Sequence, residues 1–261
     1  MLATDFDRTL VGKDSVIRPR TRAAVARAHE AGLRTIVVTG RMFRSVRPYL
    51  LDAGMTDPVV CYQGAVVADP VSGAYLRHVP IDLEDAREAL AALEGWPVNL
   101  YVDDLLYVAE TTPEARSYAD FQHLELHEVG NLLAWIEKPP TKIVVVGEPE
   151  RLDELEVETK ALFGNRLYIS KSLPYFLEFA NPAVTKAAGL EFLGGRLGFG
   201  AADTVAFGDG ENDVELIEWA GFGVAVANAH ERVLAVADFV CPSADEEGVA
   251  QAIEALLDSR G

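Results

Sequence analysis

Short apolar runs alternate from residue 2 onward with stretches whose apolar positions recur every three or four residues. The pattern predicts a strand over Leu2 to Phe6, a helix from about Pro19 to Ala31, and a strand over Arg34 to Val38. A helix from about Phe43 to Ala53 and a strand over Val59 to Tyr62 follow. This alternation is that of a parallel sheet covered by helices on both faces, and Val/Ile-rich runs such as Thr35-Ile36-Val37-Val38 and Thr204-Val205-Ala206-Phe207 fit its buried strands. After Tyr62 the pattern changes. Two alternating runs around Asp69-Pro70-Val71-Ser72-Gly73 predict a hairpin within Gly64 to Pro80.

Next come a predicted helix over Leu83 to Leu93, a hairpin of Val98 to Asp104 with Leu105 to Glu110, and a helix over Pro113 to Leu124. A strand over Lys142 to Val146, a helix over Pro149 to Phe163 and two strands through Phe179 complete this part. From Val184 the alternation resumes, with a helix over Val184 to Leu193 and a last helix near Gly248 to Leu257. The expected architecture is α/β, a doubly wound parallel-sheet core of Rossmann-like kind over 1–80 and 180–261, with an inserted α+β domain over 81–179.

Three polar signatures fall just past predicted strands: Asp5-Phe6-Asp7-Arg8-Thr9, Thr39-Gly40-Arg41 and Gly208-Asp209-Gly210-Glu211-Asn212-Asp213. Open α/β sheets bind ligands at the carboxyl ends of their strands. If the first strand runs through both carboxylates, Asp5 and Asp7 lie on one side of the sheet, and a cation is expected between or near them. Asp5 is ionised at neutral pH and needs no base to attack phosphorus. Asp7 can protonate a leaving oxygen and later take a proton from water. Asp209 and Asp213 add hard oxygen ligands, which with Asp5 suit Mg²⁺. Thr39 and Gly40 precede a helix start and can hold phosphate oxygens there, Lys186 supplies a cation, and Asn212 supplies amide donors.

Charge limits the partners. A formal net charge of -18 and a pI near 4.6 argue against nucleic acid or an anionic membrane. Any phosphate must therefore bind at a locally positive spot. Cys61 and Cys241 stand in apolar strand-like settings, which fits buried thiols in a reducing cytoplasm. No secretory leader pattern precedes Asp5, and no apolar stretch nears the ~20 residues of a membrane helix. The expected partner is a small phosphorylated metabolite in the cytoplasm; oligomeric state is not encoded in any motif.

Other constellations are set aside. Val214 and Ala220 stand where a calcium loop needs its turn glycine and bidentate Glu. His123 and His127 have no third zinc ligand in a recognised spacing. Gly194 to Gly200 matches neither Rossmann nor Walker spacing and reads as a helix terminus and loop.

In this order the signatures resemble those of the haloacid dehalogenase superfamily of phosphotransferases. The insertion is similar to the type-two cap of its Cof-like branch, and the resemblance extends through Val224-Ala225-Val226-Ala227-Asn228-Ala229 and Glu247-Gly248-Val249-Ala250. It implies Asp5 as nucleophile and Asp7 as acid/base. It implies Mg²⁺ held by the Asp5 carboxylate, the Asp7 carbonyl and Asp209, with Asp213 nearby, and phosphate held by Thr39, Gly40, Lys186 and Asn212. Arg8 stands where that branch usually has Gly, and Gln63 where it usually has Asn. Arg8 and Arg41 are candidate substrate contacts. The expected activity is a Mg²⁺-dependent phosphatase of small metabolites working through an aspartyl-phosphate; a phosphomutase and a non-catalytic phosphate binder are the alternatives. A cap would select the substrate, with Asp103, Asp104, Tyr107, Lys171 and Tyr175 as candidate contacts.

Overall fold

The computed structural model describes residues 1–122 and 124–259. His123 of the rejected zinc pair lies outside the described residues. The chain forms two compact units, Met1–Arg77 with Thr185–Gly261, and His78–Val184.

In the first unit, β1 (Leu2–Thr4), α1 (Pro19–Glu30), β2 (Thr35–Val37), α2 (Phe43–Asp52), β3 (Val59–Cys61), β4 (Val66–Ala68) and β5 (Tyr75–His78) follow in order. Pro19 opens α1, where its missing N–H and fixed φ cost nothing. The strands are three or four residues long, and β1 to β4 are wholly buried, as a sheet covered on both faces requires. β1 stops at Thr4, short of the expected Phe6, because the chain turns back: Leu10 and Val11 donate to the Phe6 carbonyl at 3.1 and 3.0 Å. The hairpin expected after Tyr62 is present as a three-stranded sheet in the order β3-β4-β5.

The second unit contains α3 (Leu83–Ala92), β6 (Val98–Val102), β7 (Leu105–Val108), α4 (Pro113–Gln122), β8 (Leu126–Glu128), α5 (Leu132–Trp135), β9 (Lys142–Val146), α6 (Pro149–Phe163), β10 (Tyr168–Leu173) and β11 (Phe176–Ala180). Its six-stranded sheet has the order β10-β11-β9-β6-β7-β8. Leu100, Val102, Ile143, Val145, Leu177 and Phe179 project from one face into a core shared with Leu90, Leu152 and Phe163 of the helices. Asp103 (φ 52) and Asp104 (φ 58) form the tight β6–β7 turn, which needs two left-handed residues and accepts Asp there. Of the candidate contacts, Asp103 pairs with Lys138 at 2.5 Å, Lys171 with Asp153, and Tyr107 stacks near Trp135 with centroids 4.3 Å apart. Tyr175 is exposed and Asp104 buried. The sequence pattern misses β8 and α5. β8 is Leu-His-Glu with no apolar run, and α5 is a single turn held by the Asn131 side chain, which accepts from Ala134 N–H.

The chain then returns to the first unit through α7 (Lys186–Leu197), β12 (Val205–Gly208), α8 (Val214–Trp219), β13 (Phe222–Val226), α9 (Glu231–Val236), β14 (Phe239–Cys241) and α10 (Gly248–Asp258). α7 outruns its expected end at Leu193 and stops at Gly198, whose left-handed conformation (φ 77) caps it. The main sheet is parallel in the order β14-β13-β12-β1-β2. Leu190, Leu193, Leu216, Ile217 and Val233 of α7, α8 and α9 pack against its Ala3, Ile36, Ala206 and Ala225. β1 lies between β2 and β12, so the chain segments leaving those three strands emerge side by side. No helix among the described residues is long and apolar enough to cross a membrane. Cys61 and Cys241 are buried free thiols.

Candidate active site

Asp5 prolongs the β1–β12 pairing by donating its N–H to Phe207 O at 2.9 Å, which sets its carboxylate at the sheet's carboxyl edge. Lys186 is the first residue of α7, fixed there by the N-cap Thr185, whose hydroxyl accepts from Ala188 N–H at 3.1 Å. Its ammonium donates to Asp5 Oδ1 at 2.6 Å and to Asp213 Oδ1 at 2.5 Å, with all three side chains buried.

The loop after β12 is folded around Asp213. Asp213 Oδ2 accepts from the N–H groups of Asp209 and Gly210 at 3.1 and 3.0 Å. Gly208 permits this, since a Cβ there would lie 2.6 Å from Asp213 Cβ. Asp209 accepts from the Thr9 hydroxyl at 3.0 Å, and its carbonyl accepts from His230 N–H at 2.7 Å. Carboxylate oxygens of Asp5, Asp209 and Asp213 lie within 4.8 Å of one another.

Two of the three carboxylates share one ammonium, and Asp209 faces the mostly exposed Arg8 at 3.9 Å, which decides the electrostatics. Burial would strip the Lys186 charge, but Asp213 and Asp5 outweigh it and hold the ammonium above its ordinary pKa. Burial pushes the Asp5 carboxyl well up, opposed by Lys186 and reinforced by Asp213 and Asp209. Asp209 is pushed up to about 6 by burial and then by Asp213, with the Thr9 hydrogen bond and Arg8 pulling the other way. Surplus negative charge, buried, on hard oxygens within one ion's reach fits a small divalent cation.

Asp7 is not part of this cluster among the described residues. The strand ends before Asp5, so the two-residue alternation expected to align the two carboxylates does not reach them. Each has its own cation instead. Arg41 grips Asp7 with Nε to Oδ2 at 2.7 Å and a terminal nitrogen to Oδ1 at 2.5 Å, and also donates to Ser15 Oγ at 2.9 Å. The guanidinium lies over Phe6 and Tyr49, 4.9 and 5.4 Å from their centroids. Burial opposes its charge, but Asp7 keeps its pKa raised. Arg41 therefore serves a carboxylate of the first signature.

Thr39 is buried at the end of β2 and accepts from Arg41 N–H at 3.1 Å. α2 begins at Phe43 after Met42, which offers no capping side chain. Asn212 donates to Gln63 Oε1 at 3.0 Å. Arg8 adopts φ 60; its carbonyl accepts from Asn228 Nδ2 at 2.9 Å, and its guanidinium is 60% exposed, 3.9 Å from Asp209 Oδ2. Sequence reasoning missed the Thr9–Asp209 bond, the Arg41–Asp7 fork and the Asn228 tether. Thr9 and Asn228 both stand inside quoted signatures, and their polarity beside apolar strands was the available signal.

Residues 2–253 match the model of the haloacid dehalogenase-like hydrolases. The chain belongs to this family. It is 29% identical over 256 residues to a phosphoglycolate phosphatase of Archaeoglobus fulgidus, covering 98% of this chain and 96% of the relative. A crystal structure from Thermotoga maritima superposes with a TM-score of 0.89 at 28% identity, covering 97% of this chain and 96% of that one. A sugar phosphatase of haloacid dehalogenase subclass IIB superposes with a TM-score of 0.84 at 25% identity, each chain covered to 98%. This hydrolase thus has phosphatase relatives along essentially its whole length.

Proposed function

We propose that this hydrolase is a Mg²⁺-dependent phosphatase of small phosphorylated metabolites, with Asp5 as nucleophile. The observation that carries the reading is the buried Asp5–Lys186–Asp213 contact with Asp209 alongside, at the carboxyl ends of adjacent parallel strands. The side chains of Asp5, Asp209 and Asp213, with the Asp7 carbonyl, would hold the ion. When bound it supplies charge neutralisation between the Asp5 carboxylate and an incoming phosphate.

Asp5 attacks phosphorus and the ester oxygen departs, taking a proton from Asp7 and leaving an aspartyl-phosphate. Asp7 then removes a proton from water, which attacks the phosphorus and frees Asp5 with release of inorganic phosphate. Lys186 offsets charge on the transferred group, and Thr39, Gly40 and Asn212 receive its oxygens. The inserted unit is the cap that selects the substrate. The phosphoglycolate and sugar phosphatases among the relatives support a small phosphomonoester. The two buried free thiols support a reducing cytoplasmic setting.

The test is a panel of sugar phosphates, phosphorylated acids and phosphorylated cofactors, assayed with Mg²⁺ and with EDTA. EDTA-sensitive phosphate release is expected; no release from any phosphomonoester with Mg²⁺ present sinks the reading.

Metal affinity should depend on pH with a defined sign. Asp209, raised to about 6, must lose its proton to ligate, so Mg²⁺ binding strengthens as pH rises through that value. Below it, affinity should fall by at least about tenfold per pH unit, because Asp5, also held up by burial, must be ionised as well. Calorimetry at pH 5 and pH 7 measures this, and equal affinities at both would refute it.

Arg41 should act through Asp7. Its fork orients the carboxylate while each oxygen keeps a lone pair free for the transferred proton. Arg41→Ala should therefore slow hydrolysis of an alkyl phosphate by about 10²-fold, within the usual span of general-acid contributions. In kcat/KM, which reports the first transfer and not the later attack of water, 4-nitrophenyl phosphate, whose leaving group needs no proton, should lose less than about tenfold. Equal losses on the two substrates would point to a merely structural Arg41.

A further inference from the structure

After β3 the chain takes two consecutive left-handed residues, Tyr62 (φ 51) and Gln63 (φ 57), followed by Gly64 (φ 110). A non-glycine residue in this region is strained, and such strain concentrates at functional sites. The surroundings hold the turn in place. Tyr62 N–H donates to Arg41 O at 2.9 Å and Gln63 N–H to Thr39 O at 3.0 Å. On the other side Gly64 abuts the N-cap of α7, where a Cβ would lie 2.0 Å from Thr185 O. The strained turn is therefore wedged between the Thr39–Arg41 segment and the helix start that carries Lys186.

This backbone aims the Gln63 amide across two further parts of the site. Its Oε1 accepts from Asn212 Nδ2 at 3.0 Å. Its Nε2 packs on Gly40, where a Cβ would lie 2.6 Å from it. In this arrangement the Asn212 NH₂ meets an acceptor and the Gln63 NH₂ faces Gly40. Among the described residues neither Gln63 Nε2 nor Gly40 N–H has a hydrogen-bond acceptor. Two donors thus sit together in the segment after Thr39, on a turn that abuts the helix start carrying Lys186.

We propose that Gln63 contacts the substrate: its Nε2 donates a hydrogen bond to a non-bridging oxygen of the transferring phosphoryl group, while Asn212 fixes the amide from behind. The assignment rests on the phosphatase reading above. It also gives Asn212 a second task, that of orienting Gln63. A carboxylate in place of the amide would meet the phosphate with negative charge, so the site requires an amide at this position.

The experiment compares wild type with Gln63→Ala, Gln63→Glu and Gln63→Gly, each loaded with Mg²⁺. The measurements are kcat and KM on 4-nitrophenyl phosphate, the inhibition constant of orthovanadate, which mimics the five-coordinate phosphoryl group, and the melting temperature. Loss of a hydrogen bond to a charged group should lower kcat by about 10- to 100-fold in Gln63→Ala. The vanadate constant should weaken by a similar factor, and Gln63→Glu should fall at least as far. Gln63→Gly relieves the left-handed strain, so it keeps the fold if Gln63→Ala does not, and it should show the same kinetic loss. Asn212→Ala, which loses its own phosphate contact as well as the hold on Gln63, should cost at least as much as Gln63→Ala, and the double variant little more than Asn212→Ala. Retention of kcat and vanadate affinity within twofold in Gln63→Glu or Gln63→Gly overturns the proposal. So does a fall in kcat with vanadate affinity unchanged, the mark of a structural role. If wild type hydrolyses no phosphomonoester, the phosphatase reading fails instead, and calorimetric vanadate binding to the same variants still reads the contact. Failure of wild type to bind vanadate removes both.

Discussion

Asp5→Asn should abolish phosphate release, by more than about 10⁴-fold, and at the same time raise the melting temperature of the metal-free protein. The two effects have one cause. As a carboxylate, Asp5 is the nucleophile of the proposed reaction, and an amide at that position has no anionic oxygen with which to attack phosphorus. In the absence of metal the same charge is a burden, because Asp5 is buried and its carboxyl is held well above its ordinary pKa by burial, with Asp213 and Asp209 adding to the shift. The sign follows from linkage. A raised acid contributes its stability below its unfolded pKa and loses it as pH rises through the folded value, so above that value ionised Asp5 is a net cost. The amide removes that cost and leaves Lys186 its 2.5 Å contact with Asp213. A gain of about 1 kcal/mol corresponds to roughly 3 °C for a chain of this size. Scanning calorimetry in EDTA measures it, alongside a phosphate-release assay with Mg²⁺. Undiminished release would remove Asp5 from the mechanism, and a lowered melting temperature would mean that the Lys186 contact outweighs the buried repulsion.

The parts of this site legible in the sequence are those fixed by strand ends. Apolar runs at Leu2–Thr4, Thr35–Val37 and Val205–Gly208 mark buried parallel strands, and the signatures behind them must emerge at one sheet edge. Pairing of Leu2 with both Val205 and Thr35 makes those strands neighbours, so Asp5, Thr39 and Asp209 come together from positions far apart in the chain. What was not legible are side-chain partnerships chosen after the backbone is placed. Arg41 reads as a candidate substrate contact until its fork closes on Asp7. Gln63 reads as a departure from a family pattern until the left-handed turn delivers its amide to Asn212. The alternation rule misled at Asp7 because it presumes a strand that the Phe6–Val11 turn has already ended. In the inserted unit the same limit hid β8, whose pairing with β7 puts Leu126 opposite Leu106 without any apolar run to announce it.

Lys186→Met should produce a large loss of stability, and the loss should be reversed in part by Mg²⁺. Methionine matches the lysine stem closely enough to fill its buried channel, so the change isolates the charge. Without the ammonium, Asp5 and Asp213 lose their cation and face Asp209, whose cationic neighbour is the mostly exposed Arg8 at 3.9 Å. Removing one partner of a buried ion pair costs about 3–5 kcal/mol, which lowers the melting temperature on the order of 10 °C. The loss should shrink toward pH 5. Asp5 and Asp209 are already raised, their folded forms bind protons more tightly than the unfolded chain, and so stability falls as pH rises through their folded values. Without Lys186 the Asp5 carboxyl moves further up and that fall steepens. Millimolar Mg²⁺ at pH 7.5 supplies the missing positive charge and should recover more of the melting temperature in Lys186→Met than it adds to wild type. Activity should stay low even with the ion bound, by about 10²- to 10³-fold, because charge on the transferred group then lacks the cation that faces it from α7. Melting curves at pH 5 and 7.5, with EDTA and with Mg²⁺, separate these effects. A Lys186→Met protein as stable as wild type in EDTA at pH 7.5 would show that the three carboxylates do not carry the charge assigned to them.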